Sequence, residues 1–242
     1  MPANAPLDRV LLPLVAANIT ALVVFHFLRT DFFHTVYAIE DGPAEWATAI
    51  LLFISFLVLA RHAAGFARAG RKPAMAIMAL GALLFFFASG EEISWGQRIV
   101  GWEAGEFFTE NSHREETNLH NLKIGEVKLV KVLFGNILTL VLLLWLVGLT
   151  VIYKRVPAVA KTADHWAIPV AGYRHAVLVL LASGVIALVD LQRKWEVYEF
   201  IFSLVALSIF LYPQNAHVFG RTHTRGRKQN VSPRKLPKGD LG

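Results

Sequence analysis

Two polar stretches carry the residue types that could do chemistry. The first is Ser89-Gly90-Glu91-Glu92-Ile93-Ser94-Trp95-Gly96-Gln97-Arg98, at the end of a long apolar run. The second, about twenty residues on, is His113-Arg114-Glu115-Glu116-Thr117-Asn118-Leu119-His120-Asn121. Glu91 or Glu92, partly buried, is a candidate general acid or base. Arg98 is a candidate partner for an anionic headgroup. His113, Glu116 and His120, at i, i+3 and i+7, offer two imidazoles and a carboxylate to a divalent metal ion and leave a position open for water. Such an ion would activate that water or polarise a carbonyl or phosphoryl group. The spacing matches neither the HExxH zinc pattern nor the ExxH di-iron pattern. Trp95, Gln97, Asn118 and Asn121 complete the set as candidate substrate contacts.

Elements must bring these residues together. A helix that stopped near Gly90 would place two carboxylates at the negative end of its dipole. The expectation is therefore that the helix runs on to Gly101, with Glu91, Ser94, Trp95 and Arg98 on one face and Arg98 as the cation nearest Glu91. Ser112 with Glu115 matches a capping box and predicts a second helix from Ser112, carrying His113, Glu116 and His120 on one face. The two stretches are expected to face each other at one membrane surface. Trp102-Glu103-Ala104-Gly105-Glu106-Phe107-Phe108 alternates aromatics and acids, as an interfacial segment over the site would. Glu45, Glu196 and Glu199 stand at helix starts, where the dipole favours acids, and are read as supporting residues.

The composition places all of this in a membrane. The chain is 55% hydrophobic and 17% charged over 242 residues, and its apolar residues come in long blocks. Six blocks predict an all-α integral membrane bundle with transmembrane helices near residues 10–28, 44–61, 73–93, 130–153, 175–191 and 197–217. A helical extracytoplasmic loop joins the third and fourth. Residues 1–219 form the membrane domain, and 220–242 form a basic, disordered tail. Six spans put both termini on one side. That side holds 16 of the 24 Lys and Arg and 3 of the 18 Asp and Glu, so it is assigned to the cytoplasm of a bacterial plasma (inner) membrane. Every acidic or histidine cluster then lies on the outer face. The net charge of +6 suggests nucleic acid, but its bases flank apolar blocks or sit in the tail, where anionic lipid headgroups explain them. The absence of cysteine excludes disulfides and thiolate metal sites.

The strings Glu91-Glu92-Ile93-Ser94-Trp95-Gly96-Gln97-Arg98 and Glu116-Thr117-Asn118-Leu119-His120-Asn121 resemble a family of uncharacterised bacterial multi-pass membrane proteins over roughly residues 40–125. That resemblance implies the fold and no established activity. Seven-helix metal hydrolases of the ceramidase and adiponectin-receptor type carry an HxxxH on a late helix, and no such pair occurs here. They serve only as an analogy for a reaction class. The function expected from the residues is a metal-dependent hydrolase or transferase acting on a lipid or lipid-linked substrate. One alternative is a non-catalytic scaffold or assembly partner with an acidic docking face. Another is a proton- or cation-coupled transporter, which the few polar residues inside the spans disfavour. Membrane lipids are the expected partners, and a divalent metal ion is the candidate cofactor.

Overall fold

The computed structural model describes residues 6–39, 41–112, 115–119, 122–124, 127–128 and 138–220. The regular structure among the described residues is helical apart from one small hairpin and an isolated bridge. Helix α1 spans Asp8–Leu28 and is followed by the short α2 (Thr30–Phe32) and a π-helical turn, Phe33–Tyr37. Helices α3 (Pro43–Arg68) and α4 (Lys72–Glu92) form the closest-packed pair. A 3-10 turn (Ser94–Gly96) leads to α5 (Gln97–Val100) and then α6 (Glu106–Asn111). Strands β1 (Lys123–Ile124) and β2 (Val127–Lys128) pair antiparallel. Helix α7 (Leu138–Leu143) continues through a π-helical stretch, Leu144–Leu149, into α8 (Thr150–Arg155). The chain then bends by 119° into α9 (Pro157–His165). Two helices complete the bundle, α10 (Tyr173–Leu188) and α11 (Lys194–Leu211).

Among the described residues, three helices, α1, α3 and α4, are long and apolar enough to cross a membrane, and a fourth span is added if the bent α7–α9 segment counts as one. Six spans are expected, and α10 and α11 do not reach that length and apolarity as separate helices. Helix α10 has 16 residues, about 24 Å of rise against a hydrocarbon core of about 30 Å. Helix α11 has 18 residues and carries Lys194, Glu196 and Glu199 in its first two turns. It is also the innermost helix, packed by α3, α1 and α10. From Ser203 to Phe210 every residue is buried. A helix apolar all round is one enclosed by protein, so its apolarity reports neighbours as much as lipid.

Two contacts fix the register of α3 against α11. The His62 imidazole Nε2 lies 3.2 Å from the Phe210 carbonyl, 148 residues away. The Arg193–Glu45 pair, at 3.8 Å, spans the same separation. The helices therefore run parallel, and Ser55 stands level with Ser203 at mid-length. The Ser203 hydroxyl donates to the Phe200 carbonyl at 2.8 Å. The buried Ser55 hydroxyl has no hydrogen-bond partner among the described residues.

The end of the bundle opposite Glu45 is tied by polar links between distant segments. Asp8, at the start of α1, pairs with Arg174 and accepts the Ser208 hydroxyl at 2.5 Å. The His175 ring bridges Ser208 at 2.8 Å and the Gly172 N–H at 3.0 Å. The non-helical chain after α9 is buried at Ala167, Val170 and Ala171, and its polar backbone is matched by side chains. Asn215 accepts the Val170 N–H and donates to the Ile168 carbonyl, and Trp145 donates to the Pro169 carbonyl.

Candidate functional site

The site begins where α4 ends. The expected continuation to Gly101 is not there. Ser94, Trp95 and Gly96 all have positive φ (47°, 55° and 79°), and this left-handed turn stops the helix at Glu92. Glu91, Ser94, Trp95 and Arg98 therefore do not share the face of one helix. The cause is Trp95, whose ring folds back on the last turn of α4. A Cβ at position 90 would lie 2.8 to 3.0 Å from three atoms of that ring, so only glycine admits it. Phe86 and Phe87 close the ring from the side, with centroids at 6.1 and 5.5 Å. The fold-back brings the indole Nε1–H to the Glu91 carboxylate at 2.8 Å.

The two polar stretches do meet. The Glu91 Oε2 accepts the backbone N–H of Leu119 at 2.6 Å. The Ser94 hydroxyl donates to Glu116 Oε2 at 3.2 Å. The Asn118 amide donates to the same Glu116 oxygen and to Ser94 Oγ, both at 2.8 Å. Gln97 Oε1 accepts the Thr117 N–H at 2.7 Å, and its amide donates to the Glu115 carbonyl at 3.1 Å. Glu91, Ser94, Glu116 and Asn118 are all buried. Charge-assisted hydrogen bonds in such surroundings hold a chain firmly, which is how residues 115–119 keep one path without being a helix. The helix expected from Ser112 is corrected accordingly. Ser112 pairs with Leu122 in an isolated bridge, and its hydroxyl accepts the Glu116 N–H at 3.3 Å, closing a turn instead of capping a helix.

Beside this knot lies a cluster of acids from three helix ends. Glu92 is half-buried and within electrostatic reach of Glu199, Glu196, Glu45 and Glu91. It makes no hydrogen bond among the described residues. Arg193 supplies a cation, with its guanidinium 3.1 Å from Glu196 and 3.8 Å from Glu45. Glu45 Oε2 also accepts the Asp41 N–H at 2.9 Å, which ties the start of α3. Among the described residues, Arg193 is the guanidinium that these acids share, with contacts to Glu196 and Glu45 and an electrostatic pull on Glu199.

The candidate residues thus divide into three groups. Glu91, Trp95, Gln97, Glu116 and Asn118 have hydrogen bonds to protein partners and are brought together. Glu92, Glu45, Glu196 and Glu199 converge. His113, His120, Asn121 and the Arg98 side chain lie outside the described residues. Among the described residues, no three His, Asp or Glu side chains are arranged to hold a metal ion. The Trp102–Phe108 segment is exposed at Trp102 and Phe107, as an interfacial segment would be. Arg193 was missed from sequence; its signal was its place three residues before Glu196, immediately ahead of α11. Comparison with protein-family models, with curated proteins and with solved structures finds no match.

Proposed function

We propose that this is a bacterial plasma-membrane protein, with six helices and both termini in the cytoplasm, that hydrolyses or transfers a group on a lipid or lipid-linked substrate at the outer face. In this reading α10 and α11 complete the crossings begun by the longer helices, and the acid cluster faces outward, away from the base-rich loops. Membership of the multi-pass family that carries the same two strings belongs to the same proposal. The observation that carries the function is Glu92. Among the described residues it makes no hydrogen bond, while its neighbour Glu91 is tied in a buried knot that fixes the backbone beneath it. A rigid support under an uncommitted carboxylate is what general acid–base chemistry requires.

The step is a displacement at a carbonyl or phosphoryl centre. Glu92 takes a proton from water or an acceptor hydroxyl, the oxygen attacks, the bond to the leaving oxygen breaks, and that oxygen takes the proton back from Glu92. Glu45, Glu196, Glu199 and Arg193 set the field around it. A metal ion held by His113, Glu116 and His120 would polarise the centre under attack. Arg98 would hold an anionic headgroup.

The test uses full-length protein in nanodiscs, incubated with a whole bacterial lipid extract in ¹⁸O-labelled water. Hydrolysis gives a product carrying ¹⁸O, and transfer gives a new lipid without it. Glu92→Gln gives neither. Elemental analysis of wild type and of His120→Ala reads the metal separately. No new product from wild type, or equal product from Glu92→Gln, overturns the proposal.

A further inference from the structure

A groove lies at the opposite end of the bundle, in the elbow between α8 and α9. Pro157 opens α9, and Val156 before it is extended (φ −120°, ψ 102°), as a residue before proline prefers. The resulting 119° bend turns α9 across the axis of the preceding span. Inside the elbow is an open apolar groove of about 270 Å³, lined by Leu149, Ala158, Val159, Thr162, Ala163 and Ile168. The exposed bases Lys154, Arg155 and Lys161 belong to the same corner. Lys154 lies over the Tyr173 ring at 4.4 Å. Arg155 and Lys161 have no acidic partner among the described residues.

The acid on α9 does not neutralise this rim. Asp164 is held by the Tyr153 hydroxyl at 3.0 Å, the Asn215 amide at 3.1 Å and the His217 ring at 3.1 Å. Its backbone carbonyl accepts from Arg71 at 3.0 Å. Trp166, just past α9, is 40% exposed, as an aromatic anchor at a headgroup layer would be. An apolar groove, bases beside it with no acidic partner among the described residues, and an exposed tryptophan just past α9 have the complementarity of one molecule: a phospholipid with an anionic headgroup.

We propose that the α8–α9 elbow binds one anionic phospholipid, with an acyl chain in the groove and the phosphate between Arg155 and Lys161. This site is independent of the acid cluster and of any reaction there.

The test is native mass spectrometry of the full-length protein in detergent, titrated with phosphatidylglycerol or with phosphatidylcholine of the same acyl chains. One phosphatidylglycerol is expected to bind in preference to phosphatidylcholine by roughly tenfold or more. The double substitution Arg155→Glu and Lys161→Glu removes the preference. Ala158→Trp fills the groove from its exposed rim and weakens both lipids. Should the double variant fail to fold, Lys161→Ala alone reports the same loss in part. Inorganic phosphate does not compete at millimolar concentration; competition would make this a bare anion site and overturn the proposal. Equal binding of the two lipids by wild type, or an unchanged preference in the charge variants, also overturns it.

Discussion

Glu91 and Glu92 are adjacent in sequence and opposite in role. Successive helical residues point about 100° apart, so one carboxylate turns into the knot with Trp95 and Leu119 while the other turns to Glu45 and Glu199. The sequence marked both, because neither suits the negative end of a helix. It offered no way to rank them, since one partner of Glu91 is a backbone N–H 28 residues away and the Trp95 ring packs where Gly90 has no side chain. That close approach makes a prediction. Gly90→Ala forces the indole off the helix end and should cost roughly 1–3 kcal/mol, the range for an overpacked site, seen as a lowered Tm in detergent. Trp95→Phe keeps most of the packing, loses the bond to Glu91, and should cost about 1 kcal/mol. An unchanged Tm in Gly90→Ala would show that the fold-back is not the protein's ground state.

At the level of elements, the apolar blocks were legible and the breaks between them were not. The observed α1, α3 and α4 start and stop within a turn or two of the expected spans, except that α3 runs on to Arg68. Apolar runs report burial directly. The stop after Glu92 depends on non-glycine residues in left-handed conformations at Ser94 and Trp95, which local propensity disfavours and only the tertiary contact supports. Ser112 misled for a similar reason. A serine hydroxyl can cap a helix or close a turn, and here the bridge to Leu122 decides. The α3–α11 seam gives the prediction at this scale. Ser55 is fully buried, level with Ser203, and its hydroxyl has no partner among the described residues. Ser55→Ala removes that group and should stabilise the protein by about 1 kcal/mol, against a loss of similar size for Ser203→Ala, whose hydroxyl is bonded. A lowered Tm for Ser55→Ala would mean that the hydroxyl has a partner in the membrane.

For the whole molecule, helix ends sort by charge. One end gathers Glu45, Glu92, Glu196 and Glu199, and the other gathers Arg71, Arg174 and the bases of the α8–α9 elbow. Loop composition points to the same sorting in the proposed topology, because charge bias does not depend on span length. The absence of cysteine makes sidedness simple to measure. Single cysteines at Asp41 and Gln192 should react with an impermeant maleimide added outside intact cells. Cysteines at Gly70 and Lys161 should react only after the membrane is opened. The reverse pattern would invert the topology and move the acid site to the cytoplasm.

The central claim is that Glu92 does chemistry on a lipid while Glu91 holds it in place. The most direct test compares the lipid profiles of cells making equal membrane amounts of wild type, Glu92→Gln and Glu92→Asp. Wild type should shift at least one lipid or lipid-linked species by several-fold. Glu92→Gln should leave the profile of cells without the protein, and Glu92→Asp should recover part of the shift. Identical profiles for wild type and Glu92→Gln, with both proteins folded and inserted, would contradict the account.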